Sequence, residues 1–449
     1  MQLENLQNSA VRCTFVPYKA LINMIPKNYL QIITEQKVEC ERLKYQNWIK
    51  RPEEELFEFE TDMAQIVIGV RRSGKSTLCH RTLKSRGIRY AFLNFDDERL
   101  TDVDKNDLNT LLEGLYTVYG SFDTLFLDEV QNIEGWQLFV NRLLRMGKHL
   151  FVTGSNAKLL SSELSTHLTG RYNRIELFPF SFSEYCRYTQ TATDDITTEG
   201  QGLLKRAFNE YMQMGGLPEL LRLRNKRGYV NNLFDSILNK DILERYKVKY
   251  VAVMMQLANH LLNNSCQELN YKSLVRTFGI KSIHTVENYV DYMRRTYLLV
   301  GIHKFSFKSR LRIRNEKIYA IDNAFITMRA DAMMGDNTGW CLENMVCIEL
   351  LRRIRPQWLD LYYFKTSYEV DFVVCNGNTP IHLYQVTVSM DDAKTRRREV
   401  GGLLKGAKDL QCERMTIITL SEKKTICEDG HTIEVVPIIE WLLLAHPSL

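Results

Sequence analysis

An octapeptide between an apolar run and a helical run constrains this chain more than any other feature. Gly69-Val-Arg-Arg-Ser-Gly74-Lys75-Ser76 matches the pattern GxxxxGK[ST], follows the apolar run QIVI and opens the helical run STLCHRTL. Glycines let the backbone N–H groups curl around phosphates, the lysine reaches the β- and γ-phosphates, and the hydroxyl serves Mg²⁺. We therefore predict a site for ATP and Mg²⁺ at Gly69, Arg72, Ser73, Gly74, Lys75, Ser76 and Thr77, with Arg71 as a further candidate for a phosphate or partner contact.

Two carboxylates follow a second apolar strand. Thr124-Leu-Phe-Leu leads into Asp128 and Glu129, which places both acids at the carboxyl edge of a sheet, where ligands bind in such folds. We expect Asp128 and Ser76 to hold Mg²⁺, and Glu129 to polarise the attacking water.

The next two strands supply further candidates. In LFVTGSNAKLL, Ser155 or Asn156 would sense the γ-phosphate, or would simply cap a helix. Arg171, in the run LTGR, would stabilise transition-state charge in its own chain or in a neighbouring subunit, or would be a surface arginine.

The pattern along the chain predicts two α/β units separated by helices. Strands expected at 65–68, 90–95, 124–127, 149–153 and 174–178 alternate with helices, which favours a parallel sheet. Helices over 200–248 surround a break at Gly215-Gly216-Leu217-Pro218. From 317 onward, strand-like runs at 317–321, 361–374, 381–388 and 415–420 surround helices near 341–354 and 392–409.

Composition excludes several classes of protein. With 449 residues, 45% hydrophobic and 25% charged, the chain suits a folded protein of several domains. It contains no run of about 20 apolar residues, no secretory signal and no CxxC pair among its ten cysteines. We therefore expect a cytoplasmic protein with reduced thiols and no membrane partner.

Several motifs together carry a family resemblance. GVRRSGKST, LFLDEVQNIEGW, VTGSNAKLL, LTGR, LFPFSFSEY, GGLPEL and KDILERY occur in this order. They resemble prokaryotic AAA-superfamily ATPases, relatives of archaeal-type ATPases that carry a C-terminal domain of unknown function. The resemblance covers about residues 45–420. It implies Lys75 and Ser76 on the phosphate loop, Asp128 and Glu129 on the metal and base strand, Ser155 as the first sensor, and Arg171 at the Gly-Arg position.

The implied fold class is α/β, with a P-loop AAA-type core, a helical lid, a winged-helix domain and a C-terminal endonuclease-like α/β domain. We place an N-terminal helical extension at 1–45, the core at 46–190, the lid at 191–249, the winged helix at 250–316 and the endonuclease-like domain at 317–449.

The winged-helix prediction also has support from the residues themselves. Residues 270–299 form a helix-turn-helix pattern, and residues 304–317 hold six basic residues against one acid, although the whole chain has a net charge of only +5. Such a local excess suits contacts with DNA phosphates, unless the module packs only within the protein. The candidates are Arg294, Arg295, Lys308, Arg310, Arg312 and Arg314.

The C-terminal unit carries an altered nuclease-like pattern. Glu343, Asp371, Gln385 and Thr387 stand where endonuclease-like folds place a helix Glu, a strand Asp and Glu-x-Lys. Thr387 removes the cation, which Lys365 or Lys394 would have to replace. We expect an inactive nuclease fold kept for binding, with Arg396, Arg397 and Arg398 facing a phosphate backbone or forming a solvated helix start.

These features lead to one main hypothesis. The chain hydrolyses ATP to ADP and phosphate and drives a conformational change, acting on or with DNA. Two alternatives stay open: a nucleotide-gated switch that binds DNA or protein with little turnover, and a Mg²⁺-dependent nuclease. Double-stranded DNA, a second copy of the chain and another protein are the candidate partners.

Overall fold

The structure is a computed structural model that describes residues 27–155, 168, 170–308, 315–333, 335 and 337–444. Its α-helices in these ranges are α1 (Lys27–Arg42), α2 (Lys75–Ser85), α3 (Leu108–Tyr119), α4 (Trp136–Arg145), α5 (Phe182–Thr189), α6 (Thr198–Met214), α7 (Lys226–Ser236), α8 (Val251–Asn263), α9 (Tyr271–Thr277), α10 (Ile283–Arg295), α11 (Ala324–Thr327), α12 (Thr338–Ile354), α13 (Ala393–Leu410) and α14 (Ile438–Leu443). A π-helix, Ile237–Glu244, continues α7.

The strands of the described residues form two sheets. They are β1 (Ala64–Ile68), β2 (Tyr90–Asn94), β3 (Thr124–Asp128), β4 (His149–Gly154), β5 (Tyr172–Glu176), β6 (Gln267–Glu268), β7 (Leu299–Lys304), β8 (Glu316–Ala320), β9 (Asp360–Lys365), β10 (Glu369–Asn376), β11 (Thr379–Val386), β12 (Met415–Thr419), β13 (Lys424–Glu428) and β14 (His431–Pro437).

The first sheet is parallel throughout its described strands, in the order β2-β3-β4-β1-β5. Alternate residues along each strand point to opposite faces, so one strand serves two cores. On one face Phe126 and Phe151 pack with Leu78 of α2, whereas on the other Leu125 packs with Leu143 of α4. The predicted parallel sheet with flanking helices is confirmed, and its strands lie within two residues of their predicted ends.

The second sheet joins the C-terminal unit to the strands before it. Its order is β13-β14-β12-β11-β10-β9-β7-β8-β6. The link is a short parallel pairing of β7 with β9, through His303 opposite Tyr362 and Lys304 opposite Tyr363. β8 spans the predicted domain boundary at 316/317, and the domain boundaries stay predictions.

Two details of the second unit differ from the sequence prediction. The single run predicted over 361–374 is an antiparallel pair, β9 and β10, because Thr366–Tyr368 turns the chain between them. The hairpin of β13 and β14 was not predicted; its outer strand has a largely exposed pattern, and only Ile426 of β13 is buried. The predicted break at 215–218 does separate α6 from α7.

The described part of the chain contains no helix both long and apolar enough to cross a membrane. Nine cysteines in it are free thiols, and eight of these are buried.

A buried histidine ties α2 to the first sheet. The His80 ring lies between Phe92 and Phe126, with centroid distances of 4.7 and 4.9 Å, and its Nδ1 is 2.8 Å from the Tyr90 hydroxyl. Burial lowers the pKa of His80 from 6.5 to about 3. The imidazole therefore stays neutral in the folded protein at pH values where the unfolded chain takes up a proton.

The lowered pKa of His80 predicts that the protein is less stable at acidic pH. Since the unfolded chain binds the extra proton between about pH 6.5 and pH 3, the free energy of unfolding falls as the pH falls through that window. At about pH 5, protonation of His80 in the unfolded chain lowers the free energy of unfolding by about 2 kcal/mol. We expect His80→Gln to reduce by about this amount the difference between the free energies of unfolding measured at about pH 7.5 and pH 5.

The exposed His149 provides the matched control. His149→Gln should leave the pH dependence as in the wild type. An unchanged pH dependence in His80→Gln would show that His80 is not the group responsible.

Candidate functional site

The carboxyl ends of β1, β3 and β4 meet at one edge of the first sheet, and the phosphate loop lies there. Gly69 follows β1 with φ at +152°, and a Cβ on it would lie 2.2 Å from the Leu177 carbonyl oxygen. Gly74, with φ at +94°, caps the start of α2. Only glycine fits the first position without displacing backbone, so the loop can turn tightly into the helix.

Lys75 and Ser76 converge on the acids of β3. Lys75 is buried; its Nζ donates to the Val70 carbonyl at 3.1 Å and lies 3.9 Å from Glu129 Oε1. Ser76 Oγ donates to Asp128 Oδ1 at 2.8 Å. Burial lowers the pKa of Lys75, although Glu129 and Asp128 oppose the shift. The Lys75 ammonium is thus buried beside two acids, in a position where it can bind a phosphate.

Asp128 sits against a residue that the sequence interpretation missed. Thr153, near the end of β4, donates its hydroxyl to Asp128 Oδ1 and accepts the Glu129 N–H at 3.1 Å. Burial and the neighbouring Glu129 raise the pKa of Asp128 to about 6, against the opposing hydroxyl hydrogen bonds. The signal was a polar residue in the otherwise apolar run LFVT.

Gln131, a second residue that the sequence did not reveal, holds the Glu129 carboxylate by a hydrogen bond. Gln131 Nε2 donates to Glu129 Oε2 and lies 3.4 Å from Ser155 Oγ, so one amide bridges the predicted base and the predicted sensor. Burial alone would raise the pKa of Glu129, but Lys75 and Gln131 outweigh it and hold the pKa below its ordinary value. Glu129 is therefore ionised, as a residue that polarises water must be. Asn156 lies outside the described residues.

A cavity of about 550 Å³ extends from the phosphate loop. Beyond Lys75 it is bounded by Trp48 and Ile49, which precede β1, and by Pro218 and Leu223, which follow α6. Segments before and after the first sheet thus enclose the space next to the loop, which is large enough for a nucleotide.

The ligands for Mg²⁺ fit this site. Mg²⁺ commonly binds through one or two protein oxygens and completes its shell with water and substrate phosphates. The Ser76 hydroxyl and the Asp128 carboxylate are adjacent, and Asp128 is a buried acid that a cation would stabilise. Among the described residues, no group of three or more His, Cys, Asp or Glu side chains is arranged to hold a metal without such outside ligands.

Three other predicted residues, Arg72, Thr77 and Arg171, are exposed. Arg72 has φ at +68° and an NH1 that lies 3.2 Å from Glu219 Oε2. Arg171 precedes β5, whose first residue is in register with Ala64, the first residue of β1. Arg171 therefore lies at the amino ends of the strands, about 17 Å along the strand direction from the phosphate loop at their carboxyl ends. A contact in its own chain does not follow from this geometry, and a role in a neighbouring subunit stays a prediction.

Some of the candidate DNA contacts already form ion pairs within the protein. Arg294 NH1 lies 3.1 Å from Glu316 Oε1 and Arg295 Nε lies 2.7 Å from Asp291 Oδ2. Arg398 pairs with Glu399 at 2.5 Å. Arg398 is nevertheless exposed, as are Lys308, Arg396 and Arg397, whereas Arg310, Arg312 and Arg314 lie outside the described ranges.

The nuclease-like residues partly converge. Asp371 Oδ2 accepts the Val386 N–H at 2.9 Å, and the Asp371 N–H donates to Gln385 Oε1 at 3.3 Å. Gln385 Nε2 donates to Glu399 Oε2 at 2.7 Å. The Thr387 hydroxyl donates to the carbonyl of Ser389, two residues away, at 3.2 Å.

A cation reaches this cluster from another strand. Lys317 of β8 has its Nζ 3.3 Å from Glu343 Oε1 and 2.5 Å from Glu369 Oε1, and is 4% exposed. Lys365 instead pairs with Glu268 and Glu369 on the outside. Neither the role of Lys317 nor the acid Glu399 was visible in the Glu-x-Lys spacing.

Comparisons with known proteins agree with the geometry of the first sheet. A family model described as an AAA domain matches residues 61–186, and two domains of unknown function, DUF8612 and DUF4143, match residues 205–333 and 338–441. The uncharacterized protein MJ1544 of Methanocaldococcus jannaschii is 31% identical over 395 residues, which cover 84% of this chain and 88% of that protein. The chain belongs to the family of MJ1544.

A second relative of the family is bacterial. An uncharacterized protein of Haemophilus influenzae is 29% identical over 409 residues, covering 87% of this chain and 97% of that protein. The AAA match contains the phosphate loop, Asp128, Glu129 and Ser155, so the predicted AAA-type P-loop core is confirmed. The winged-helix and endonuclease-like assignments stay predictions.

Solved structures show lower similarity. The Walker-type ATPase PABY2304 of Pyrococcus abyssi is 11% identical with a TM-score of 0.36, covering 68% of this chain and 95% of its own. Thermotoga maritima RuvB is 14% identical with a TM-score of 0.27, covering 64% and 90%.

The Gly215-Gly216 break in this family member joins three parts of the molecule. The Gly216 N–H donates to Asp322 Oδ2 at 2.7 Å, and the Gly216 carbonyl accepts the Phe180 N–H at 2.7 Å. A Cβ on Gly216 would lie 2.1 Å from the Phe180 carbonyl oxygen. Burial raises the pKa of Asp322 to about 6, which leaves this carboxylate dependent on the backbone N–H groups that face it.

We expect Gly216→Ala to destabilise the protein, because the methyl group would collide with backbone that has no room to move. The expected loss in the free energy of unfolding is about 1–3 kcal/mol, measured by urea denaturation.

Gly202→Ala is the matched control for this substitution. Gly202 lies inside α6 with open space around its Cα, so alanine should raise the stability by up to about 1 kcal/mol. Equal effects of the two substitutions would contradict the close approach at Gly216.

Proposed function

We propose that the chain binds ATP with Mg²⁺ and hydrolyses it to ADP and phosphate, moving the lid relative to the core while acting on or with DNA in the cytoplasm. The observation that supports hydrolysis is the convergence of Lys75, Ser76, Asp128 and Glu129 at one end of the cavity of about 550 Å³.

Each residue has a definite task in this proposal. The loop N–H groups and Lys75 bind the β- and γ-phosphates, and Ser76 and Asp128 hold the cation. The Mg²⁺ would neutralise phosphate charge and align the terminal phosphate for in-line attack. Glu129, freed from Gln131, accepts a hydrogen bond from the attacking water, and Ser155 lies within reach of the same amide.

Substitution of the acids and the lysine tests this proposal. We expect Glu129→Gln to lower kcat about 100-fold or more while ATP still binds, because only water activation is lost. Lys75→Ala should weaken ATP binding about tenfold or more, since it removes a buried charge from the phosphates. Phosphate release and equilibrium binding are measured with and without duplex DNA.

Glu134→Gln is the matched control, since Glu134 is an exposed acid that follows the same strand. Equal rates for the wild type, Lys75→Ala and Glu129→Gln would exclude hydrolysis at this site. ATP binding with no turnover under any condition would favour the nucleotide-gated switch.

The proposal that DNA is the partner rests on exposed cations. Arg396 and Arg397 lie near the start of α13, and Lys308 precedes the basic residues at 310, 312 and 314. We propose that these two clusters contact phosphates through a winged-helix module and an endonuclease-like module. Gln385 and Thr387 replace the acid and the lysine of the Glu-x-Lys pattern, so we assign this module to binding rather than cleavage.

Salt dependence distinguishes such a footprint from accidental binding. The logarithm of the DNA binding constant should fall linearly with the logarithm of the salt concentration over roughly 50–200 mM, and each lost phosphate contact makes the slope shallower by about 0.9. We expect Arg310/Arg312/Arg314→Ala to lower the slope by about 2–3, measured by fluorescence anisotropy with a short duplex.

Removal of three exposed cations elsewhere, Arg145/Lys205/Arg227→Ala, controls for total charge. An equal loss of slope in both triple variants would contradict a defined site. An absence of binding at low salt would indicate a protein partner instead.

A further inference from the structure

The phosphate loop carries a second cation besides Lys75. Arg71 Nε donates to Asp241 Oδ2 at 3.0 Å, and Arg71 NH2 donates to Asp241 Oδ1 at 3.3 Å. Its NH1 is 3.6 Å from Asp96 Oδ2. Two parallel hydrogen bonds fix the guanidinium against one carboxylate. A residue 170 positions later in the chain thus holds this arginine of the loop.

The carboxylate belongs to an irregular helix. Asp241 has a side chain that is only 3% exposed and lies in the π-helix Ile237–Glu244, within the domain matched at 205–333. π-Helices are rare and occur frequently at functional sites, where they replace regular α-helical hydrogen bonds.

The residues that follow Asp241 also contact the turn after Glu129. Arg245 NH2 lies 3.4 Å from Asn132 Oδ1, and the Asn132 N–H donates to the Glu129 carbonyl at 3.1 Å. One helical turn from Asp241 to Arg245 therefore contacts both the phosphate loop and the chain that follows Glu129. Its position depends on both loops of the nucleotide site.

The Arg71 side chain faces the reactive end of the cavity. It lines the cavity together with Lys75, Asp128 and Glu129, and Glu129 acts on its charge. Burial disfavours the guanidinium charge, but Asp241 outweighs burial and raises the pKa of Arg71 above its ordinary value. The arginine is therefore a permanent cation.

A bound triphosphate would compete with Asp241 for this cation. Planar guanidinium groups bind phosphate oxygens in the same two-pronged way as carboxylates. If Arg71 turns to a phosphate, the Asp241 carboxylate is left buried without its partner, which is strongly unfavourable. The π-helix must then shift or rewind until Asp241 is solvated or paired again.

We propose that Asp241 is a positioning residue that holds Arg71 in reserve, and that Arg71 exchanges this carboxylate for the terminal phosphate of ATP. ATP, but not ADP, then releases the π-helix from the phosphate loop. Arg71 sets the preference for the triphosphate, and Asp241 transmits nucleotide state to the domain at 205–333. The inference rests on the proposed function, because it requires ATP to bind at the phosphate loop.

Nucleotide affinities of the full chain test the exchange. Calorimetry compares ADP with a slowly hydrolysed ATP analogue in the wild type, Asp241→Asn, Arg71→Gln and the double variant. Asp241→Asn should tighten binding of the analogue about tenfold, because the competing charge is gone, and should leave ADP within about twofold. Arg71→Gln should weaken the analogue about tenfold or more.

The double variant separates this role from a merely structural one. If Asp241 acts through Arg71, the double variant binds like Arg71→Gln alone, because Asp241→Asn has nothing left to release. Asp235→Asn, an exposed carboxylate on α7, is the matched control and should bind like the wild type. Equal shifts for ADP and the analogue, or the same effect of Asp241→Asn in both backgrounds, would overturn the proposal.

Hydrogen exchange tests the release of the helix without any substitution at Asp241. In the wild type, the ATP analogue should increase amide exchange over residues 237–246, and ADP should not. Arg71→Gln should abolish the difference. Unchanged exchange in a wild type that binds the analogue would overturn this inference alone, whereas a wild type that binds no nucleotide would overturn the proposed function with it.

Discussion

The Arg51 guanidinium is enclosed by protein and donates in three directions. Its Nε and NH2 bond to the Glu184 carboxylate at 2.7 and 3.1 Å, NH2 also donates to the Phe178 carbonyl, and NH1 donates to the Ser73 carbonyl in the phosphate loop. Burial disfavours both charges, but each charge favours the other: the pKa of Arg51 is raised, chiefly by Glu184, and the pKa of Glu184 is lowered, chiefly by Arg51. Loss of either partner would leave a buried charge at a cost of about 3–5 kcal/mol. The segment before β1, the phosphate loop and α5 are therefore held together by the hydrogen bonds and the ion pair of Arg51.

The same cluster continues into the C-terminal unit. Arg352 of α12 pairs with Glu349 and donates to the Pro179 carbonyl at 2.8 Å, and its charge also stabilises Glu184. Arg353, beside it, pairs with the same Glu349 at 2.8 Å and donates to the Trp441 carbonyl. These contacts fasten the second α/β unit to the wall of the nucleotide site. The movement proposed for the lid is therefore assigned mainly to the segment between the two units, whose contacts include Arg71–Asp241 and Gly216–Asp322.

Contiguous features could be predicted from the sequence, and distant pairings could not. The phosphate loop, the strand ending in Asp128-Glu129 and the parallel sheet each depend on residues close together in the chain, so spacing and periodicity revealed them. The Arg71–Asp241 pair joins residues 170 positions apart, and no local pattern encodes it. Gln131 follows Glu129 by only two residues. Its hydrogen bond to the Glu129 carboxylate could not be predicted, because it depends on the backbone φ of +51° at Glu129. Likewise, the Lys317 ammonium reaches Glu343 from a strand outside the Glu-x-Lys pattern.

The distribution of cations explains why the net charge of +5 says little about partners. Arg51, Arg352 and Lys317 are buried in internal ion pairs, where they offset acids and offer nothing to a ligand. Arg294 and Arg295, on the helix expected to meet DNA, are likewise paired within the protein. A phosphate backbone can recruit only cations whose charge is still available, because displacing an internal acid has its own free-energy cost. The exposed cations Lys308, Arg396 and Arg397, rather than the paired arginines of α10, are therefore the candidates best able to meet a polyanion.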